Sequence, residues 1–239
     1  GAVTITPERS DLSPFYTDAR YTSADFFPMF ATPYLFGGGW SAEDDDVGAR
    51  IVDISKSLNE RVFGGEDSVG KSLLIGNTAL RITGVLDDWR PTPKFYDMNQ
   101  SRFGEIEDVF LPFSTSRDLK YGRNGSMNCW LNFDGDETGL NAPCTWIQYW
   151  VELESAAQAA DYKAYLDNYS AQQKAAGRYE REPNTRLRNV MAWLEFNRIV
   201  PSDVVMQMWL GLGFLLVCLL NTVGLLLAKF LRRSGEIGV

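Results

Sequence analysis

The stretch Gly65-Glu66-Asp67-Ser68-Val69-Gly70-Lys71-Ser72 matches G-x-x-x-x-G-K-[ST], the loop whose backbone amides cradle nucleotide phosphates. A chance match in a sequence of this length is about a 1% event at average residue frequencies, so it needs an answer. The loop works only between a strand and a helix whose N-terminal amides face the phosphates. Here the order is reversed. A helical stretch, SKSLNERVF, precedes the motif, and a hairpin pattern, SLLIGNTALRITGV, follows it. Glu66 and Asp67 add negative charge where phosphate would sit, and no apolar strand ending in a free Asp follows to hold magnesium. The segment therefore reads as a turn leading into a hairpin, with Lys71 outside any catalytic role.

Other chemistry is equally thin. Glu43-Asp44-Asp45-Asp46 lacks the D-x-[DN]-x-[DN]-G spacing of a calcium loop and reads as a solvated acidic turn. The protein has no histidine, which removes Ser-His-Asp chemistry and most zinc sites. No nucleophile–base pair stands out, so neither an enzyme nor a cofactor or metal site is expected. Cys129 and Cys144 flank a polar stretch, MNCWLNFDGDETGLNAPC. A disulfide there, in an oxidising compartment, closes a loop worth roughly 3 kcal/mol. The alternative is two unpaired thiols. Cys218 lies in an apolar run and reads as a small hydrophobe.

The elements around these residues set the class. Hydrophobic residues make up 45% and aromatic residues 13% of the 239 residues, enough for a packed core. The net charge is −8 and the basic residues form no stripe, which excludes a nucleic-acid partner. The sequence opens at Gly1 with neither an initiating Met nor a signal peptide, and reads as a segment of a longer polypeptide.

Val204–Ala228 carries no charge, and at about 1.5 Å per residue it spans about 37 Å, enough to cross a bilayer core of about 30 Å. Lys229, Arg232 and Arg233 follow it, whereas Pro201, Ser202 and Asp203 precede it. The positive-inside rule then puts the C-terminus in the cytoplasm and the preceding 200 residues outside, with Trp209 near the outer interface. The alternative is the buried core helix of a soluble protein. Asn221 and Gln207 carry amides that want partners, supplied by neighbouring spans or by their own backbone. Asn221 and Gly224 are the residues expected to pack against another span.

The outer region reads as α+β. DARYTS suggests a strand, ADFFPMF a short helix capped near Ser23, and PYLFGGGW with SAEDDDVG a turn-rich stretch. ARIVDIS reads as a buried strand whose Ser55 caps a helix over Lys56–Phe63. A hairpin turning at Gly76-Asn77 follows, then a strand in EDVFLPFS. After an irregular excursion over 117–144, TWIQYWVELE alternates like a strand, with neither face clearly polar. Ser155 opens a helix to about Ala176 with Tyr162, Tyr165, Leu166 and Tyr169 at helical spacing, and Gly177 stops it. TRLRNV reads as a further strand and MAWLEFNRIV leads into the membrane. This strand–helix–strand unit lacks sheet partners within the sequence, as if half its sheet preceded Gly1.

Taken together, YTSADFFPMFATPYLFGGGW, IVDISKSLNERVFGG, EDSVGKSL and ALRITGVLDDW resemble the MacB-like periplasmic core domain of ABC transporter permeases. In that family a D-x-x-G-K stretch follows the helix, which accounts for Asp67, Gly70 and Lys71 without a nucleotide. The tail LLNTVGLLLAKFLRRSGEIGV resembles the start of the FtsX-like permease domain, in which Glu236, Ile237, Gly238 and Val239 would lead into the segment that engages the ATPase. The resemblance implies a two-lobed periplasmic domain of mixed sheets and helices followed by one transmembrane helix. Its parts would be an inserted lobe over 1–116, the excursion over 117–144, half of a membrane-proximal lobe over 145–200, the span over 201–230 and a cytoplasmic start over 231–239. It also implies a bacterial inner-membrane location with the bulk periplasmic. The expected partners are a cytoplasmic ABC ATPase subunit, a second permease copy or paired permease, and membrane lipid, with room for a periplasmic adaptor. The function implied is mechanical: ATP-driven movement reaches the periplasm through a stiff connection at Trp193 and Pro201 and exports or extracts a substrate. The competing reading is a single-span receptor or sensor with an outer ligand-binding domain.

Overall fold

The computed structural model describes residues 1–98, 102–139, 142–178 and 180–237. By compactness the protein divides into Gly1–Leu187 and Arg188–Val239.

The first unit is built on a mixed sheet that closes on itself. Its strands are β1 (Ala2–Thr6), β2 (Phe15–Thr22), β3 (Tyr34–Gly37), β4 (Ile51–Ile54), β5 (Ser72–Ile75), β6 (Thr78–Leu86) and β7 (Val109–Pro112), in the order β3-β6-β4-β7-β2-β1-β5, with β5 pairing back onto β6. Two pairs, β2–β7 and β4–β6, are parallel and the rest are antiparallel. Six strands thus form a ring without a free edge, while β3 pairs with the far end of β6. The hairpin turns at Gly76-Asn77 with Ile75 opposite Thr78. The alternation of Val3 and Ile5 carries β1, an element that a reading from Tyr16 onward leaves out.

Period-2 alternation sorts the side chains into two cores. Val3, Ile5, Ala19, Val52, Ile54, Leu73, Ile75, Leu80, Ile82, Val109 and Leu111 meet inside the ring, joined by Leu58 and Val62 of α3 (Lys56–Phe63). On the opposite face Ile51 and Phe110 join an aromatic cluster of Phe26, Phe27, Trp40, Leu86 and Tyr96. Strands β4 and β7 are buried on both faces, which is why IVDI and VFLP read as continuous rather than alternating.

Helix starts follow their caps. The Ser55 side chain accepts from Leu58 N–H at 3.0 Å and opens α3, which Gly64 ends with φ of 74°. Ser155 opens α5 (Ala156–Ala175) in the same way, accepting from Gln158 N–H at 3.2 Å. Three sequence expectations are corrected. The acidic stretch is a helix, α2 (Ala42–Asp46), because Ser41 and Asp44 form a reciprocal capping box. The first helix, α1 (Phe26–Met29), is a single turn with Asp25, not Ser23, at its cap position, and it has no side-chain cap. Neither TWIQYWVELE nor TRLRNV forms a strand beyond the two-residue ribbon β8 (Asn128–Cys129) with β9 (Cys144–Thr145). A short helix, α4 (Phe113–Asp118), follows β7.

The second unit holds α6 (Val190–Phe196), a turn over 197–200, and α7 (Ser202–Ile237).

Candidate functional site

The phosphate-loop look-alike is fully committed to its own turn. At its centre Asn59 is buried, donating from Nδ2 to the Glu66 carbonyl at 3.0 Å and accepting from Ser68 Oγ at 2.6 Å. Val69 N–H donates to Asp67 Oδ1, Lys71 N–H to the Ser68 carbonyl, and Gly70 N–H to the Ile82 carbonyl at 2.8 Å. Gly70 takes φ of 84°, a conformation that favours glycine and swings the backbone into β5. The amides that would face a phosphate are bonded to protein acceptors, and Lys71 Nζ lies 5.5 Å from the Phe63 ring centre. The motif is a structural turn.

Chemistry that the sequence did not advertise lies in a buried ionic cluster beside the aromatic core. Arg20 of β2 donates from Nη2 to Asp97 and Glu107, both at 2.6 Å. Lys94 Nζ stands 2.8 Å from the same Glu107 oxygen, and Tyr96 donates to the other at 3.0 Å. The Arg20 guanidinium also lies 4.7 Å from the Tyr96 ring centre. Burial pushes the Glu107 carboxyl up, but Arg20 and then Lys94 outweigh it and lower it to about 2. Burial likewise raises the Tyr96 phenol. Lys94 and Glu107 sit in an irregular stretch where no periodicity marks a buried face. The only sequence signal is a lysine set among Phe95, Tyr96 and Met98.

A second buried acid, Asp53 on β4, lies where two register shifts meet, one in β3–β6 and one in β4–β6. It accepts from Tyr34 Oη at 2.6 Å and Thr83 Oγ1 at 2.7 Å. Burial raises its carboxyl to about 6, although the two hydroxyls pull it back down. Gly84 beside it leaves room for Tyr34: a Cβ there would stand 2.4 Å from Tyr34 Cε1.

Cys129 and Cys144 are joined, with S–S of 2.03 Å, and close the second part of the 117–144 excursion as a loop at the β8–β9 ribbon. The segment after the ribbon is held by its tryptophans. Trp146 packs on Phe113 at 5.9 Å with Arg123 at 5.2 Å, and Trp150 contacts Phe30 and Phe95 while donating to the Tyr96 carbonyl at 3.4 Å. Both indoles, on one alternating face, are partly covered without any strand, while Ile147 and Tyr149 of the other face stay exposed.

The membrane-capable element is α7. Within Ser202–Arg232 the most apolar 18-residue window averages a hydropathy of 2.4, and none of that window is buried among the described residues, as suits a helix able to cross a membrane. Asn221 and Gly224, three apart, share one face of it. Glu236 and Ile237 fall in its last turn, and Gly238 and Val239 lie outside the described residues. Pro201 precedes it, and the Pro201 carbonyl accepts from Val204 N–H at 3.1 Å, so the ring sits where no N–H is needed. Trp193 stacks on Phe196 in α6 at 6.0 Å. MAWLEFNRIV is not one continuous rod. Ile199 N–H donates to the Leu194 carbonyl and Arg198 N–H to that of Glu195, with Arg198 at φ of 49°, which closes α6 in a tight left-handed cap.

Comparison with known proteins places these features. A family model described as the MacB-like periplasmic core domain matches residues 2–169. The curated relatives include the macrolide export ATP-binding/permease protein MacB of Wolinella succinogenes, 28% identical over 101 residues, covering 41% of this chain and 14% of that protein. The MacB of Escherichia coli K12 is 26% identical over 117 residues, covering 48% and 16%. The 239 residues thus correspond to a small part of these relatives. Among solved structures, the periplasmic region of MacB from Actinobacillus actinomycetemcomitans aligns with TM-score 0.39 at 17% identity, covering 52% of this chain and 49% of that one. The extracellular domain of the transporter YknZ from Gram-positive bacteria aligns with TM-score 0.38 at 17% identity, covering 49% and 53%.

Proposed function

The chain belongs to the MacB-like periplasmic core domain family, and from that premise we propose that it is the periplasmic and transmembrane part of an ABC transporter permease. In this reading it couples cytoplasmic ATP hydrolysis to export or extraction of a substrate by transmitting movement. The observation that carries the reading is α7, a long apolar helix with no buried apolar window, in the same polypeptide as a periplasmic core domain. Lys229 and Arg232 after the span, and Asp203 before it, support a bacterial inner-membrane orientation with the domain outside. Asn221 and Gly224 then form a packing face toward a further span of a second copy or paired permease. Glu236, Ile237, Gly238 and Val239 begin the segment that meets a cytoplasmic ABC ATPase, and the substrate path leaves room for a periplasmic adaptor. The inserted lobe, the excursion and the membrane-proximal lobe are parts of this moving outer domain. The protein works as a mechanical element, with the chemistry left to its ATPase.

Trp193 and Pro201 bracket the link through which the movement passes. Its stiffness rests on the hydrogen-bonded cap at Arg198 and on the restrained start of α7 at Pro201. A Gly/Ser linker at this point transmits little directed displacement. Four Gly/Ser residues inserted between Val200 and Ser202 of the full-length permease should preserve folding, membrane insertion and basal ATPase activity but abolish transport. Transport at the wild-type rate would refute the mechanical reading.

A further inference from the structure

The first unit holds a cleft of about 810 Å³ beside the disulfide ribbon, within the range of small-molecule sites. It lies away from the ring and its two cores, between the ribbon, α5 and the segment 180–185. Three aromatic rings line it: Trp130, Tyr149 and Tyr169. Tyr149 is 62% exposed and Tyr169 is 44% exposed, so much of their ring area is still open to solvent. The Trp130 ring is fixed in place by an Nε1–H bond to the Arg178 carbonyl at 3.0 Å.

The lining also includes three planar polar side chains, Asn128, Glu180 and Arg181. None of the three makes a side-chain hydrogen bond or ion pair among the described residues, whereas the nearby Glu182 is tied to Lys174. The carboxylate and guanidinium are neighbours in sequence, so their charges offset. What the cleft offers is flat apolar rings together with groups that can each make two hydrogen bonds.

We propose that this cleft binds a neutral saccharide. A sugar ring has an apolar C–H face that lies on an aromatic ring and a rim of hydroxyls that pairs with amide, carboxylate and guanidinium groups. A fully apolar ligand gains mainly where water is excluded, and this cleft is open. A singly charged ligand would meet groups of both signs, Glu180 and Arg181, in the same lining. Saccharide binding is a property of the outer unit alone and does not depend on coupling to an ATPase.

The test uses the 239-residue polypeptide in lipid nanodiscs, free of sugar-headed detergent. The probes are tetrasaccharides of β-1,4-linked N-acetylglucosamine, β-1,4-linked glucose and α-1,4-linked glucose, read by saturation-transfer NMR and tryptophan fluorescence. At least one should bind saturably, with the strongest transfer to its ring C–H protons. Tyr169→Ala and Arg181→Ala should each weaken binding by about tenfold, the loss of one stacking or charged hydrogen-bonding contact. Tyr16→Ala, an exposed aromatic on β2, should leave it unchanged. Circular dichroism checks that each variant folds. No saturable binding of any probe would overturn the proposal. So would binding insensitive to both cleft variants, or binding of the apolar dye 1-N-phenylnaphthylamine in place of every saccharide.

Discussion

Glu107→Gln tests the ionic cluster through the acid stability of the first unit. Glu107 is lowered from an ordinary 4.5 to about 2, Arg20 and Lys94 outweighing the burial that would raise it. At about 1.4 kcal/mol for each tenfold change in proton affinity, that difference is worth about 3 kcal/mol. The sign follows from the direction. Because the folded state holds the proton more weakly, the stabilisation is complete above about 4.5 and is lost as the pH falls toward 2. The variant also leaves the Arg20 and Lys94 cations facing an uncharged amide in a buried site, a loss of about 3 kcal/mol or more at about pH 7. Urea unfolding followed by tryptophan fluorescence across the acid range up to neutrality gives both quantities, Trp89 and Trp150 being the tryptophans packed at the cluster's aromatic side. Wild type should lose stability steeply below about pH 4.5, and Glu107→Gln should start lower and decline less in that window. Parallel acid limbs in the two proteins would refute the assignment.

Asp53 should act in the opposite sense: its raised carboxyl favours the protonated folded state, so its stabilisation is present below about 3.8 and lost as the pH rises through about 6. Asp53→Asn should flatten the fall in urea stability between about pH 4 and about pH 6. Gly84→Ala drives a methyl against Tyr34 Cε1 and the Gly38 carbonyl, and should cost about 2 kcal/mol, read as a lowered thermal midpoint.

Elements specified by neighbouring residues were legible from sequence. Ser55 with Lys56–Phe63, the Gly76-Asn77 hairpin, and Ser155 with the helix that Gly177 ends are all local arrangements. The phosphate-loop look-alike could be rejected because its flanking elements run in the wrong order, and its amides are occupied by Asp67 Oδ1 and the Ser68 and Ile82 carbonyls while Asn59 pins the turn through Glu66 and Ser68. The closure of the ring was not legible, since β1 meets β5 across about seventy residues and no local pattern encodes that pairing. TWIQYWVELE failed for a different reason. Its apolar alternation suggests two covered faces, but only the indole face is covered, by Phe113 for Trp146 and by Phe30 and Phe95 for Trp150, while Ile147 and Tyr149 are exposed. At the membrane end the apolar run was plain, but the break at Arg198 was not, because a left-handed cap is usually announced by Gly or Asn.

The tryptophan anchors bear on where the outer unit would yield under load. The ring of strands is a closed hoop in which each member is hydrogen-bonded on both sides, so tension is shared around the circumference. Among the described residues, the polypeptide beyond Thr145 adds no strand to that hoop, and its indoles hold the elements packed around it, Trp146 on Phe113 of α4 and Trp150 on Phe30, Phe95 and the Tyr96 carbonyl. Tension arriving along this tail would meet those two indoles before any barrel strand. They would serve as a mechanical fuse, slipping from their sockets and releasing slack while the hoop keeps its shape.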